Sequence, residues 1–179
     1  MKFWPVPNCY SKNLPKSGPG SFAENRSDRH HCGVDIYAPK GSDVISIDSG
    51  KVLAKGVFSS PDVKPYWYTT YFVAIKNKTG KIAKYCELED ILVTDGSNVE
   101  AGQIIGHVGN ILNFNNIDQN SPLYIQKIKD AGIKSMLHFE LYAKEPFVLE
   151  NYSGGNWFDK IKPSNLLDPT EYLLSLIPC

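Results

Sequence analysis

Short runs of alternating or continuous apolar residues recur along the chain, each bounded by Gly, Pro, Asn or Asp. The run from Tyr66 to Val73 is rich in aromatic and β-branched residues, which favour the pleated, half-buried surface of a sheet. Period-two alternation between such turn residues predicts strands joined by hairpins. The predicted strands cover residues 33–37, 43–47, 50–55, 66–75, 81–87, 103–108 and 137–142. We therefore expect a mainly β protein with an antiparallel sheet.

Two segments depart from this pattern and predict short helices. In the first, Ser121 as N-cap, Pro122 at the first helical position and Gly132 as terminator enclose an amphipathic stretch. The second helix is predicted over residues 168–176, near the C-terminus. Because the first helix leads directly into the strand at 137–142, we interpret residues 110–135 as an insertion beside that strand.

Length and charge narrow the range of functions. The chain has 179 residues, which suits one domain, and 19 basic residues balance 19 acidic ones. A net charge of zero without a basic stripe argues against nucleic acid as a partner, and no apolar run is long enough for a bilayer span. The N-terminus lacks the apolar stretch of a secretory signal, so we expect a cytoplasmic protein unless an export signal is missing from this sequence. The sequence does not determine the oligomeric state.

The four cysteines, Cys9, Cys32, Cys86 and Cys179, do not form a CxxC pair. Their spacing is unlike a disulfide framework, so we expect free thiols. By strand alternation, Cys32 and Cys86 should point away from any site formed by their neighbours and belong to the core.

Three residues far apart in sequence are candidate metal ligands: His31, Asp35 and His138. Two imidazoles and one carboxylate suit Zn²⁺, and three protein ligands leave a fourth position for water or substrate. Such an open position is typical of a catalytic rather than a structural zinc site.

The segments that carry these ligands resemble the motifs of the M23 family of zinc peptidases, of the lysostaphin and LytM type. The family's first motif, His-x-Gly-x-Asp followed by Ala-Pro-x-Gly, is matched by residues 31–41, and its last motif, His-x-His-Phe-Glu, by residues 136–140. Weaker matches extend the resemblance over residues 18–143, in order. The resemblance implies zinc held by His31, Asp35 and His138, and hydrolysis of peptide bonds in substrates of the peptidoglycan type.

The resemblance also implies a fold and boundaries. We expect a β-sandwich or half-barrel of the duplicated hybrid-motif type, with the inserted helix and the C-terminal helix added to it. The whole chain, residues 1–179, would form one peptidase-like domain. Residues 1–19 would be an N-terminal extension, 110–135 an insertion near the site, and 144–179 a C-terminal extension.

Two departures from the family pattern fall on positions where the resemblance implies histidines that take part in proton transfer. In the family's Tyr-x-His-Leu segment the histidine is replaced by Glu87, and the first histidine of the last motif is replaced by Met136. Glutamate can take over the proton transfer of a histidine, whereas a thioether cannot. Glu87 is therefore the candidate catalytic residue, although a solvated carboxylate at a strand end explains it equally well.

Glu140 alternates onto the same strand face as His138. It could accept a hydrogen bond from a ligand imidazole and fix its tautomer. A core salt bridge, for example with Arg26 or Arg29, fits the sequence equally well. Aromatic residues that could line a groove or fill a core are Tyr37, Tyr66, Trp67, Tyr152 and Trp157.

Two functional hypotheses follow. In the first, the protein is a zinc-dependent endopeptidase in which Glu87 moves the proton. In the second, it is a catalytically degenerate member of the same fold that acts as a binding or regulatory module, with or without zinc. The retained ligand set favours the first hypothesis, and the loss of both partner histidines favours the second.

Overall fold

A computed structural model describes residues 3–147 and 149–176. The strands are β1 (His30–His31), β2 (Val34–Tyr37), β3 (Asp43–Ile45), β4 (Gly50–Ser59), β5 (Thr70–Asn77), β6 (Ile82–Leu88), β7 (Asn98–Val99), β8 (Ile104–His107), β9 (Met136–Tyr142), β10 (Tyr152–Ser153), β11 (Asn156–Trp157) and β12 (Leu166–Leu167). The helices are α1 (Leu123–Asp130) and α2 (Thr170–Leu174). Within the described residues, neither helix has the length and apolar character needed to cross a bilayer.

The largest sheet is antiparallel, in the order β12-β9-β6-β5-β4-β7, and β2 pairs with β9 beside it. A second, short sheet has the order β1-β11-β10, and β3 pairs with β8 separately. The architecture is therefore mainly β with two short helices, as the sequence predicts.

Strand β9 pairs with β2, β6 and β12, and all seven of its residues are buried. Leu137, Phe139 and Leu141 belong to the main hydrophobic core, which also receives Leu173 of α2. Because side chains alternate along a strand, Met136, His138, Glu140 and Tyr142 project to the opposite face. That face carries the candidate site.

Several predicted boundaries are wrong: β4 continues to Ser59 rather than ending at residue 55, and two further boundaries differ for local reasons. The strand predicted from residue 66 begins only at Thr70, because the Trp67 N–H closes a turn onto the Lys64 carbonyl. Helix α1 begins at Leu123, with Pro122 rather than Ser121 at the N-cap position. The hydroxyl of Ser121 instead donates to Asp118, whose carboxylate also accepts the Ser121 N–H in a turn that precedes the helix.

Strands β10 and β11 were not predicted. They form a hairpin of two-residue strands around Gly154 and Gly155, too short to show a period of two. The hairpin is joined to β1 through the pairs His30–Trp157 and His31–Asn156.

Candidate metal centre

Strands β2 and β9 place two candidate ligands directly opposite each other. They pair with Asp35 opposite His138, and opposed residues of an antiparallel pair project to the same face. His31 reaches the same point from β1. Between β1 and β2, a Cβ at Gly33 would lie 2.1 Å from the Phe139 carbonyl oxygen, so only glycine lets the chain pass this close to β9.

The three side chains converge. His31 Nε2 lies 2.9 Å from His138 Nδ1 and 3.1 Å from Asp35 Oδ1, and His138 Nδ1 lies 3.0 Å from that same oxygen. Ligand atoms placed around a tetrahedral zinc ion at its usual bond lengths are about 3.3 Å apart. The triangle is only slightly smaller than this spacing, so these residues fit a zinc ion. Among the residues described, each of these three side chains offers one ligand atom, and these atoms all lie within 4.8 Å of one another.

The other ring nitrogen of each histidine is also held. His31 Nδ1 lies 2.8 Å from the Ser21 carbonyl oxygen, and His138 Nε2 lies 3.0 Å from Glu140 Oε1. A ligand histidine that donates its second N–H to an oxygen has a fixed tautomer and ring orientation. These contacts leave His31 Nε2 and His138 Nδ1 facing Asp35.

Glu140 connects the site to a buried polar network. It accepts hydrogen bonds from Tyr152 at 2.5 Å and from Tyr142 at 2.6 Å, and it forms an ion pair with Lys84 at 3.1 Å. The geometry supports the predicted contact with His138. The alternative, a core salt bridge, also forms, but its partner is Lys84 rather than Arg26 or Arg29, because the β6–β9 register puts Lys84 directly opposite Glu140.

Burial and charge act in opposite directions on the three ligands. Burial lowers the pKa of His31. Burial would raise the pKa of Asp35, but the adjacent imidazoles outweigh it and hold that pKa well below its usual range. Burial would lower the pKa of His138, but hydrogen bonds to Asp35 and Glu140 raise it to about 9. This raised pKa favours the protonated form of His138 between the two carboxylates in the metal-free protein, and a metal ion would have to displace that proton.

Glu87 reaches the site face through an irregularity in β6. Leu88 is opposite Tyr71 and Cys86 is opposite Phe72, so Glu87 is an extra residue without a partner on β5. Its φ of 65° is in the left-handed region, which is uncommon for a residue with a side chain. Strict alternation would send Glu87 to the core side with Tyr85, whereas a bulge can redirect a side chain.

The Glu87 carboxylate is buried but keeps polar partners. Its Oε2 accepts a hydrogen bond from Thr70 at 2.6 Å and a longer one from Ser59 at 3.4 Å. Burial raises its pKa to about 7, with the charges of His138 and Asp35 also acting on it. Glu87 is thus not a solvated carboxylate at a strand end.

Met136 lies in an apolar cluster formed largely by the insertion. Its buried neighbours in that cluster include Ile111, Ile117 and Ile125, the last of these from α1. The insertion therefore packs directly on the end of β9 that leads to His138.

The side of the site next to His138 is covered. The Phe58 ring stacks on the His138 ring with centroids 5.7 Å apart, and a Cβ at Gly155 would lie 2.7 Å from His138 Nε2. His31, Asp35 and His138 are between 1 and 3% exposed. The β10–β11 hairpin, which the sequence did not predict, is thus part of the site.

A groove with a volume of about 790 Å³ opens beside Asp35, between residues 18–29 and α1. Tyr37 lines it, whereas Trp157 is buried in a second core cluster. Arg26 pairs with Glu24 at 2.9 Å and lies over the Tyr124 ring, 4.9 Å from its centroid. Of the three candidate ligands, Asp35 is the one that lines this groove.

Cys9, Cys32 and Cys86 are free thiols, as predicted, and Cys179 lies outside the described residues. The expected direction of Cys86 is wrong, because it pairs with His138 and so shares its sheet face. Burial raises the pKa of Cys86 well above its ordinary value, which keeps the thiol protonated.

Solved structures of other proteins have a similar fold. The structure is similar to the catalytic domain of the antimicrobial peptidase lysostaphin from Staphylococcus simulans, with a TM-score of 0.52 and 22% identity over 88% of this chain and 89% of that one. It is similar to whole lysostaphin, with a TM-score of 0.56 and 22% identity over 98% of this chain and 56% of that one. A chain from the SpoIIQ–SpoIIIAH pore-forming complex gives a TM-score of 0.53 and 19% identity over 96% of this chain and 91% of that one. These likenesses show the fold.

No match is found among curated proteins. The sequence profile of peptidase family M23 matches residues 29–148, which is more than half of the chain and includes all three candidate ligands. This protein belongs to peptidase family M23.

Proposed function

We propose that this protein is a zinc-dependent endopeptidase in which His31, Asp35 and His138 hold the metal and Glu87 transfers the proton. The observation that carries the proposal is the convergence of His31 Nε2, Asp35 Oδ1 and His138 Nδ1 within 3.1 Å of one another. A zinc ion bound there would polarise the scissile carbonyl and lower the pKa of water.

Glu87 supplies the proton transfer in this proposal. A general base works best when its pKa is near the working pH, and burial raises the pKa of Glu87 to about 7. Because Thr70 and Ser59 both contact Oε2, Oε1 is the oxygen available to take a proton from the attacking water and return it to the leaving amine. Glutamate thereby replaces the histidine that the resemblance expects at this position.

The proposed substrates are peptides of the bacterial cell-wall bridge type, which family membership supports. A peptide could reach the ligands along the groove beside Asp35, where Tyr37 and Tyr124 provide apolar contacts and Arg26 a cation. The ion pair between Arg26 and Glu24 reduces the net charge of this wall, which suits an uncharged peptide backbone.

A degenerate binding module is the second candidate. It is favoured by Met136, whose thioether is buried among apolar side chains and can neither transfer a proton nor stabilise an oxyanion. The fold likeness to a chain of the SpoIIQ–SpoIIIAH pore-forming complex is compatible with a role in assembly.

The first experiment is metal analysis by elemental mass spectrometry, on protein purified without added zinc. We expect about one zinc per chain in the wild type, loss of zinc in His138→Ala, and retention in His107→Ala, whose ring contacts Asp90 instead. A wild-type protein that neither contains nor takes up zinc would overturn the zinc proposal.

The second experiment separates the two candidates. Zinc-loaded wild type and Glu87→Gln are incubated with purified bacterial peptidoglycan, and newly released amino groups are counted. Hydrolysis by the wild type that is lost in a zinc-containing Glu87→Gln protein supports the peptidase. Zinc binding without hydrolysis in either protein supports the binding module.

A further inference from the structure

Glu87 is held by two hydroxyl side chains that the sequence motifs do not include. Thr70 and Ser59 are opposite each other across β4 and β5, and their exposed fractions are 1 and 2%. Their hydroxyl oxygens are 2.6 Å apart, and Thr70 Oγ1 is 2.6 Å from Glu87 Oε2. A buried chain of short contacts thus runs from Ser59 through Thr70 to the carboxylate.

The number of hydroxyl hydrogens determines which group donates in each contact between Ser59, Thr70 and Glu87. Each hydroxyl has one hydrogen to donate and can also accept. If Thr70 donates to Glu87, then the short Ser59–Thr70 contact requires Ser59 as donor. Ser59 has an alternative acceptor in the Tyr68 carbonyl oxygen, 2.9 Å away. With Glu87 ionised, its negative charge favours the order in which Ser59 donates to Thr70 and Thr70 donates to Glu87.

The contacts of the Glu87 carboxylate with hydroxyl groups involve one of its two oxygens. Oε2 accepts from Thr70 and lies 3.4 Å from the Ser59 hydroxyl oxygen, whereas Oε1 accepts no hydrogen bond from any residue that the structure describes. The bulge sets the face from which the Glu87 side chain leaves β6, but the terminal torsion of a glutamate is broad, so the backbone does not fix the orientation of the carboxylate. A hydrogen bond to the carboxylate is therefore needed to fix the orientation of the Glu87 side chain.

We infer that Thr70, oriented by Ser59, is the positioning residue for Glu87. It fixes Oε2 and leaves Oε1 directed to the face of the sheet that carries His138 and Asp35. The inference rests on the proposed function, since it assigns these hydroxyls a part in placing the general base. It involves no covalent step.

The test uses two substitutions at one position. Thr70→Val keeps the β-branched shape and removes the donor, and Ser59 can then turn to the Tyr68 carbonyl, so no buried hydroxyl loses every partner. Thr70→Ser keeps the donor and is the matched control. The carboxyl carbon of Glu87 is followed by ¹³C NMR across pH in metal-free protein, with Glu87→Gln identifying the signal.

We expect Thr70→Val to raise the measured pKa of Glu87 by about one unit, because a hydrogen bond to a carboxylate favours its ionised form. Thr70→Ser should restore the wild-type titration. In the zinc-loaded proteins, Thr70→Val should lower kcat by about tenfold to a hundredfold at nearly constant KM. Zinc content should be unchanged.

The outcomes separate this inference from the proposed function. A Thr70→Val protein that titrates at Glu87 like the wild type overturns the positioning role, whatever its activity. Full turnover in Glu87→Gln overturns the catalytic role of Glu87, even if the titration shows that Thr70 contacts it. A raised pKa with a lower kcat, both rescued by Thr70→Ser, supports the inference.

Discussion

Glu87 shows how one residue can acquire a reactive environment from its backbone. The bulge in β6 turns its side chain out of the alternation, and its left-handed φ of 65° adds about 1 to 2 kcal/mol of backbone strain. The carboxylate is then buried with hydroxyl partners rather than with a cation. Its raised pKa follows from that burial.

This shift makes the stability of the metal-free protein depend on pH. Because the folded-state pKa of Glu87 is raised from 4.5 to about 7, its contribution to stability is complete below about pH 4.5 and is lost as the pH rises through 7. Glu87→Gln has no such loss. The melting temperature of Glu87→Gln minus that of the wild type should therefore be larger at pH 8 than at pH 5, measured with a chelator present.

The control for this prediction is Glu89→Gln, which removes an exposed carboxylate near the same strand end. His138 and Asp35 are present in both proteins, so only the part of their titration that depends on the Glu87 charge enters the difference. An equal difference at the two pH values would contradict the burial of an ionisable Glu87.

Among the elements, the β10–β11 hairpin has the most direct effect on the site. The Gly155 carbonyl accepts the Cys32 N–H at 2.8 Å, and the Gly155 backbone packs against the His138 ring. The hairpin thus supports the main chain beside His31 and limits the position of His138.

Gly155→Ala should weaken zinc binding by about tenfold to a hundredfold, a range typical of disturbed ligand support. The new Cβ would lie 2.7 Å from His138 Nε2 and would force the ring to move. Competition with a chromophoric chelator measures the affinity. Gly96→Ala is the matched control, because Gly96 has φ +76°, close to the +75° of Gly155, and a Cβ there meets nothing within 4 Å. Equal affinities in the two variants would contradict the clash.

Helix α1 should stabilise the fold through one buried contact. Ile125 is 3% exposed and packs in the cluster that contains Met136, whereas Leu123 on the same helix is 74% exposed. We expect Ile125→Ala to lower the free energy of unfolding by about 2 to 4 kcal/mol and Leu123→Ala to change it by less than about 0.5 kcal/mol. Urea denaturation of both variants measures this, and similar losses would show that α1 does not pack as described.

At the scale of the whole molecule, the candidate site joins distant parts of the chain. His138 is 107 residues from His31 and 103 from Asp35, and these residues come together only when β2 and β9 pair. An unfolded chain does not hold this arrangement, so a bound metal stabilises the native state alone.

Zinc at a hundredfold excess over its dissociation constant should therefore add about 2.7 kcal/mol to the free energy of unfolding. Asp35→Asn should lose most of this gain, because an amide oxygen is a weaker ligand than a carboxylate. Thermal unfolding with and without zinc measures the gain. An equal rise of melting temperature in wild type and Asp35→Asn would place the bound zinc elsewhere.

The sequence predicts those parts of the molecule that local patterns determine. Alternation predicts most strands of the largest sheet, and the spacing of His31 and Asp35 with Gly33 predicts a ligand pair. Pairing between distant segments has no local signal, so the contact of Lys84 with Glu140 could not be predicted. Nor could the bulge at Glu87, since an inserted residue is recognised only when the partner strand is known.

The pairing of β1 with β11 also affects when the site can form during synthesis. His31 is opposite Asn156, so the pairing of its strand with β11 cannot form until the hairpin has left the ribosome. At ordinary elongation rates this takes roughly ten seconds after His31 is made. During that interval His31 and the neighbouring thiol of Cys32 lack the support of the hairpin, and the candidate ligand set is completed only late in synthesis.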